Sequence, residues 1–235
     1  MDINEANIYA DSMLSVSERA HYSKGLGLVY GNKSTLALLS GEYEKALQFV
    51  KAEEEVNARM NYEYTNSQYH KGMGRVHYYM RNLDSSLYHF NRAAIEYRNQ
   101  DNYSGLSEMV NSLGAVNYYL GNYDTALIQY REAQEIIESH TKDTLSLINI
   151  VNNIGLIFSH YQKAEKAIAY FETGLELAQI KNAPFSLDML YFNLGDAYVL
   201  KEDYKMAIES FRYSLEIKKN NNIPYGTNLS RIGCF

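Results

Sequence analysis

VNSLGAVNYYLGNYDTALIQYREA, Val110 to Ala133, decides the fold, and YFNLGDAYVLKEDYKMAIESFRYS, Tyr191 to Ser214, repeats its pattern. In each stretch a glycine follows a leucine (Gly114, Gly195) and an alanine lies twelve residues on (Ala126, Ala207). A large aromatic comes four residues beyond the alanine (Tyr130, Phe211), and a small residue three further (Ala133, Ser214). Steps of four and three bring side chains to one face of a helix. Outward from these two copies the small anchor returns at Ser34, Gly74 and Gly155, so five copies stand 40, 40, 41 and 40 residues apart. In the other three, Ala46, Ser86 and Ala167 take the alanine place, Val50, Phe90 and Phe171 the large one, and Glu53, Ala93 and Gly174 the last.

Such a unit is an antiparallel helical hairpin. Gly or Ser on the first helix cannot hold the second away, so the alanine lies close against it and the large residue fills the adjoining gap. A lone hairpin cannot bury both faces, whereas stacked copies share a continuous core, which makes the array a quasi-one-dimensional solenoid.

The pattern resembles the tetratricopeptide repeat. Leu113-Gly114, Gly121 to Asp124 (G-N-Y-D), and Ala126 with Tyr130 (A-x-x-x-Y) carry the likeness. So do Leu194, Gly195 and Tyr198 (L-G-x-x-Y), Asp203-Tyr204, and Ala207 with Phe211. The resemblance implies an all-α, right-handed superhelical solenoid of tandem hairpins whose first helices line a concave face. The family repeat is about 34 residues, so a period near 40 implies helices lengthened by about one turn per pair. Similar long repeats occur in bacterial signalling regulators and in some eukaryotic scaffolds. Two copies depart from the pattern: the first is degenerate (Lys33, Ser34, Val50, Glu53), and the fourth has Gln162-Lys163-Ala164 at the turn.

On this frame residues 8–22 are the second helix of a truncated repeat. Residues 25–60, 64–100, 103–140, 143–181 and 184–221 are full repeats, and 224–235 opens a truncated sixth. A solenoid normally ends in a polar capping helix, so the expectation is a segment of a longer protein with more repeats or an output domain. Pro184 and Pro224, 40 residues apart, are expected in linkers between repeats.

Composition narrows the function. A net charge of −6, with Lys and Arg interspersed among acids, disfavours nucleic acid as partner, because phosphate binding needs clustered cations. No apolar run approaches the roughly 18 to 20 residues of a membrane span. Residues 1–20 lack the basic start and apolar core of a signal peptide. The compartment stays open between cytoplasm and periplasm, with the cytoplasm ahead, and self-association is also left open. One cysteine, Cys234, excludes an internal disulfide or a multi-cysteine zinc site.

Catalytic signatures reduce to decoys. Gly25 to Gly31 imitates a dinucleotide loop but has no preceding strand and falls in the first helix of copy one. His70 and His77 are seven apart on one helix, with no third ligand placed beside them, so no metal is expected. Glu53-Glu54-Glu55 falls on an expected helix surface with nothing beside it to shift a pKa. No triad, phosphate loop or metal set survives the repeat frame, so the chain reads as non-catalytic and without cofactor.

What remains is the surface of the first helices. By the resemblance, positions two or three before each anchor and one or four after it point into the concave face. For copies one and two these are Gly31, Asn32, Thr35 and Leu38, then Lys71, Gly72, Arg75 and Tyr78. The candidate peptide- or partner-binding set is Lys71, Arg75, Tyr78, Asn111, Tyr118, Asn152, Asn153, Asn193 and Asp196. An amide carries donor and acceptor, so the asparagine row can satisfy the backbone of an extended peptide. Asparagine is also frequent there in the family consensus, which leaves a role in the fold open. Lys71 and Arg75, one turn apart, suit a carboxylate of a ligand or of a neighbouring acid. Tyr78-Tyr79 and Tyr118-Tyr119 recur 40 apart, with one ring for packing and one for the groove. The expected function is a scaffold for a protein or peptide, the sensor or interaction part of a larger, bacterial regulatory protein. The alternative is a regulator whose solenoid closes around a signalling peptide and controls an attached output domain.

Overall fold

The computed structural model describes residues 3–59, 65–221 and 223. Eleven α-helices run through the described residues, and there is no strand among them. In order they are α1 (Ile3–Arg19), α2 (Ser23–Leu39), α3 (Tyr43–Arg59), α4 (Thr65–Tyr79), α5 (Leu83–Asn99) and α6 (Tyr103–Tyr119). The rest are α7 (Tyr123–Ile136), α8 (Thr144–His160), α9 (Ala164–Ile180), α10 (Pro184–Leu200) and α11 (Tyr204–Asn220). The glycine run from Gly25 to Gly31 is continuous helix within α2. Pro184 is the first residue of α10 rather than a linker residue; at that position the missing N–H costs nothing. Pro224 and the sixth-repeat segment 224–235 lie outside the described residues.

The turns show a finer period than the hairpins. A left-handed residue stands at His21, Gly41, Arg81, Asp101 and Gly121, then at Lys142, Gln162, Asn182 and Glu202. At the end of α2, Gly41 N–H donates to the Leu38 carbonyl and Glu42 N–H to that of Ala37, which together satisfy two of the last carbonyls of the helix. Only two of these positions hold glycine, the residue that adopts positive φ without strain, so glycine spacing alone hides the rule. The 41-residue interval has a local cause. Ile137–Thr141, continuing α7, is a π-turn, which takes up one extra residue before the chain turns at Lys142.

The helices fall into two compact units, α1–α5 and α6–α11. In the first, α2 pairs with α3 and α4 with α5. Its core joins Ala37, Leu38, Ala46, Val50, Met73 and Val76, with Tyr43, Phe49, Tyr69 and Tyr79 packed around them. In the second, α6 pairs with α7, α8 with α9 and α10 with α11.

The hairpin seam differs in one detail from the expected packing. The aromatic ring itself covers the anchor glycine. A Cβ at Gly74 would stand 2.5 Å from Phe90, at Gly114 2.6 Å from Tyr130, at Gly155 2.5 Å from Phe171 and at Gly195 2.4 Å from Phe211. Alongside, the small residue reaches the anchor's backbone, as where Ser86 Oγ donates to the Gly74 carbonyl at 2.9 Å. The glycine is therefore required by the ring above it.

Candidate functional site

In the first unit, the successive first helices α2 and α4 flank a cavity of about 270 Å³ with α3 beneath it. Gly31, Asn32, Thr35 and Leu38 come from α2, Lys71, Gly72 and Arg75 from α4, and Val50 and Glu53 from α3. Two glycines let the floor rise into this space. A Cβ at Gly72 would approach Val50 to 2.9 Å, and one at Gly31 would meet the Glu53 carboxylate oxygens at 3.2 and 3.3 Å. Arg75 is oriented by the opposite wall: its Nη1 donates to Thr35 Oγ1 at 3.2 Å, and that hydroxyl donates to the Gly31 carbonyl at 3.2 Å.

Glu53 is not the solvated surface acid that its neighbours in sequence suggest. Burial pushes its carboxyl up to about 7, and nearby Lys71 only partly opposes this. Desolvation outweighs the cation because the charged form loses water on several sides at once.

The asparagine row lies in the second unit, and its amides bond to one another. Asn193 Nδ2 donates to Asn152 Oδ1 at 2.7 Å, Asn152 Nδ2 to Asn153 Oδ1 at 3.4 Å, and Asn153 Nδ2 to Asn111 Oδ1 at 3.1 Å. None of the four is more than 7% exposed. The row thus ties α10, α8 and α6 together, while Asn193 Oδ1 at its end is buried with no hydrogen-bond partner among the described residues. Of the other candidates, Tyr78 is buried, its ring edge-on to Tyr79 at 5.6 Å. Tyr118 is half-buried, edge-on to Tyr123 at 5.3 Å, and Asp196 is half-buried on α10.

A third histidine joins the pair on α4. His89 of α5 brings its Nδ1 to 2.8 Å from His70 Nδ1 and stacks on His77 with centroids 5.5 Å apart. The repeat frame carried a signal for it. Forty residues on, Asn117 and Gln129 occupy the places of His77 and His89, and Asn117 Nδ2 donates to Gln129 Oε1 at 2.9 Å. Among the described residues no three His, Cys, Asp or Glu side chains are grouped to hold a metal ion.

Burial lowers the pKa of all three imidazoles, and that of His89 falls to about 4 with help from the other two. The folded state therefore holds fewer protons than the unfolded chain below the ordinary histidine value. Stability from this cluster is present above about 6.5 and is lost as pH falls toward 4. Thermal unfolding followed by circular dichroism should show a smaller loss on acidification for His89→Gln than for the wild type. Equal losses would remove the cluster from the acid response.

Residues 105–180 and 146–220 match the family model for the tetratricopeptide repeat. The chain belongs to the tetratricopeptide-repeat proteins. No curated protein sequence matches it. Among solved structures, BtubC (BKLC) from P. vanneervenii is 15% identical, with a TM-score of 0.73 over 96% of this chain and 94% of that one. A Rap protein complexed with competence and sporulation factor is 15% identical, with a TM-score of 0.77 over 91% of this chain and 59% of that one. The Rap conjugation gene regulator of plasmid pLS20, in complex with the Phr* peptide, is 17% identical, with a TM-score of 0.74 over 88% and 57%. The tetratricopeptide chain thus spans less than two thirds of these two Rap chains. At such identities the likeness is one of fold, that of a helical-repeat solenoid. A tetratricopeptide array supplies the framework of a protein-interaction scaffold.

Proposed function

We propose that the chain is a non-catalytic interaction module that holds an extended peptide or partner segment along its first helices, as the sensing part of a larger regulatory protein. The observation that carries this reading is the α2–α4 cleft. It sets the paired cations Lys71 and Arg75 opposite hydrogen-bonding groups of α2, over a floor raised by two glycines. A concave site with a few convergent polar groups is the usual form of a recognition pocket. The peptide-bound Rap structures support the reading by fold alone. The asparagine row contributes by linking α6, α8 and α10 through hydrogen bonds between its own amides.

A randomised peptide display library, selected on the chain and on a Lys71→Glu/Arg75→Glu variant of matched helicity, tests this. A peptide motif enriched on the wild type and absent from the variant is the expected result. Failure of the wild type to enrich any motif, or equal enrichment on both, would overturn peptide binding at this face.

A further inference from the structure

Resting on that binding role, we propose that the α2–α4 cleft takes an acidic side chain of the bound segment, and that Glu53 takes up a proton as the acid enters. The cavity's charge arrangement leads to this. From α4 come Lys71 and Arg75, the guanidinium steered by Thr35. The α2 wall is uncharged: Asn32, Ser34 and Thr35 face the space. Of the titratable side chains of α2, Lys33 is paired to Asp11 and lies 5.2 Å over the Phe49 ring, Tyr30 is stacked on the same ring, and Lys24 is exposed in the first turn, outside the cavity lining. From α3, Glu53 enters the cavity, while the field of Glu54 falls on Tyr69.

Glu53 is thus the one anionic group among the cavity-lining residues, and it shares the field of Lys71 with whatever enters. A second carboxylate beside it meets like charge unless one of the two is protonated. Glu53 is already prepared for this, because burial has placed its titration at neutrality. Protonation leaves two cations facing one incoming anion, and the neutral carboxyl gains a proton to donate to it. A glutamine side chain of the same length would draw no proton. By linkage the coupling is reciprocal: the acid raises the proton affinity of Glu53, and the proton raises the affinity for the acid. The sign follows. Binding is strongest below about 7 and weakens as pH rises through that value, approaching tenfold per pH unit if one proton accompanies each ligand.

N-acetylglutamic acid α-amide is a suitable probe, with N-acetylglutamine amide as its neutral control. Both can be titrated by NMR between pH about 6 and about 8 against the full chain. The acid is expected to bind with the stated slope and to raise the titration midpoint of the Glu53 carboxyl carbon, and the amide to do neither. Glu53→Gln should bind the acid with no pH slope, and Arg75→Gln should lose it. An acid that does not bind the wild type, binds without slope, or keeps its slope in Glu53→Gln overturns the proposal. The two readings separate cleanly. A library peptide held by the wild type at pH-independent affinity would leave the scaffold standing and end the proton-linked site. Proton-linked binding of the probe with no peptide enriched would do the reverse.

Discussion

Phe171→Ala is expected to cost about 3 to 5 kcal/mol of unfolding free energy, among the largest effects of any single substitution in the chain. The ring is fully buried between α8 and α9, and it lies on the bare Cα of Gly155, where a Cβ would come within 2.5 Å. Ile154 and Ile157 of α8 and Ala167 of α9 are themselves fully buried, and in a close-packed interior such neighbours relax only partly into a vacated space. The transfer and cavity penalties therefore add. Urea unfolding of wild type and variant measures the loss. Ile128→Ala, at a side chain 67% exposed on α7, should stay within about 0.5 kcal/mol. A double-mutant cycle sharpens the claim. Gly155→Ala alone should destabilise by overpacking, but should be tolerated once Phe171 is Ala, since the colliding ring is gone. Additive costs would show that ring and glycine do not share one space.

That seam is also why the fold is legible in the sequence. A contact between a bare Cα and an aromatic ring tolerates few alternatives on either side, so Gly114 with Tyr130 and Gly195 with Phe211 keep their types and spacing. The turns are less legible, because a left-handed residue can be Arg81, Asp101 or Gln162 as well as Gly41. Side chains there face solvent, and the strain of positive φ in a non-glycine residue is offset by the hydrogen bonds of the cap. The π-turn at Ile137–Thr141 leaves its trace only as the single 41-residue interval.

The cleft was half legible. Lys71 and Arg75 stand out as adjacent cations on one helix face, whereas Glu53 hides in an acidic run. Yet its place in the repeat belongs elsewhere to Ala93, Ala133, Gly174 and Ser214, all turned to the core seam. A glutamate at a position otherwise small and buried is the sign of a desolvated acid. The asparagine row is legible in its placement and not in its bonding. Spacing puts Asn111, Asn152 and Asn193 on the first helices, but spacing cannot reveal that their amides meet across the repeats and exclude water.

Asp188→Ala should cost a comparable 3 to 5 kcal/mol, roughly, for a different reason. Asp188 of α10 pairs with Lys218 in the last turn of α11 at 2.9 Å, and Ser214 Oγ donates to its other oxygen at 2.6 Å. Both charged side chains are only 7–8% exposed. Removing the acid takes this counter-charge from the buried Lys218 ammonium and the acceptor from the Ser214 hydroxyl, in a site that water scarcely reaches, so the cost includes the desolvation of both groups as well as the lost attraction. The preceding repeat shows what an apolar version looks like, with Ile148 and Ala178 at the equivalent places, both fully buried. Asp188→Ile combined with Lys218→Ala should therefore recover most of the stability that Asp188→Ala loses, and urea midpoints of the three proteins decide it. A cost below about 1 kcal/mol for Asp188→Ala would mean that the pair behaves as a solvated surface bridge. A double variant as unstable as the single one would show that the pair fixes the geometry of the last hairpin, and that an apolar pair cannot replace it.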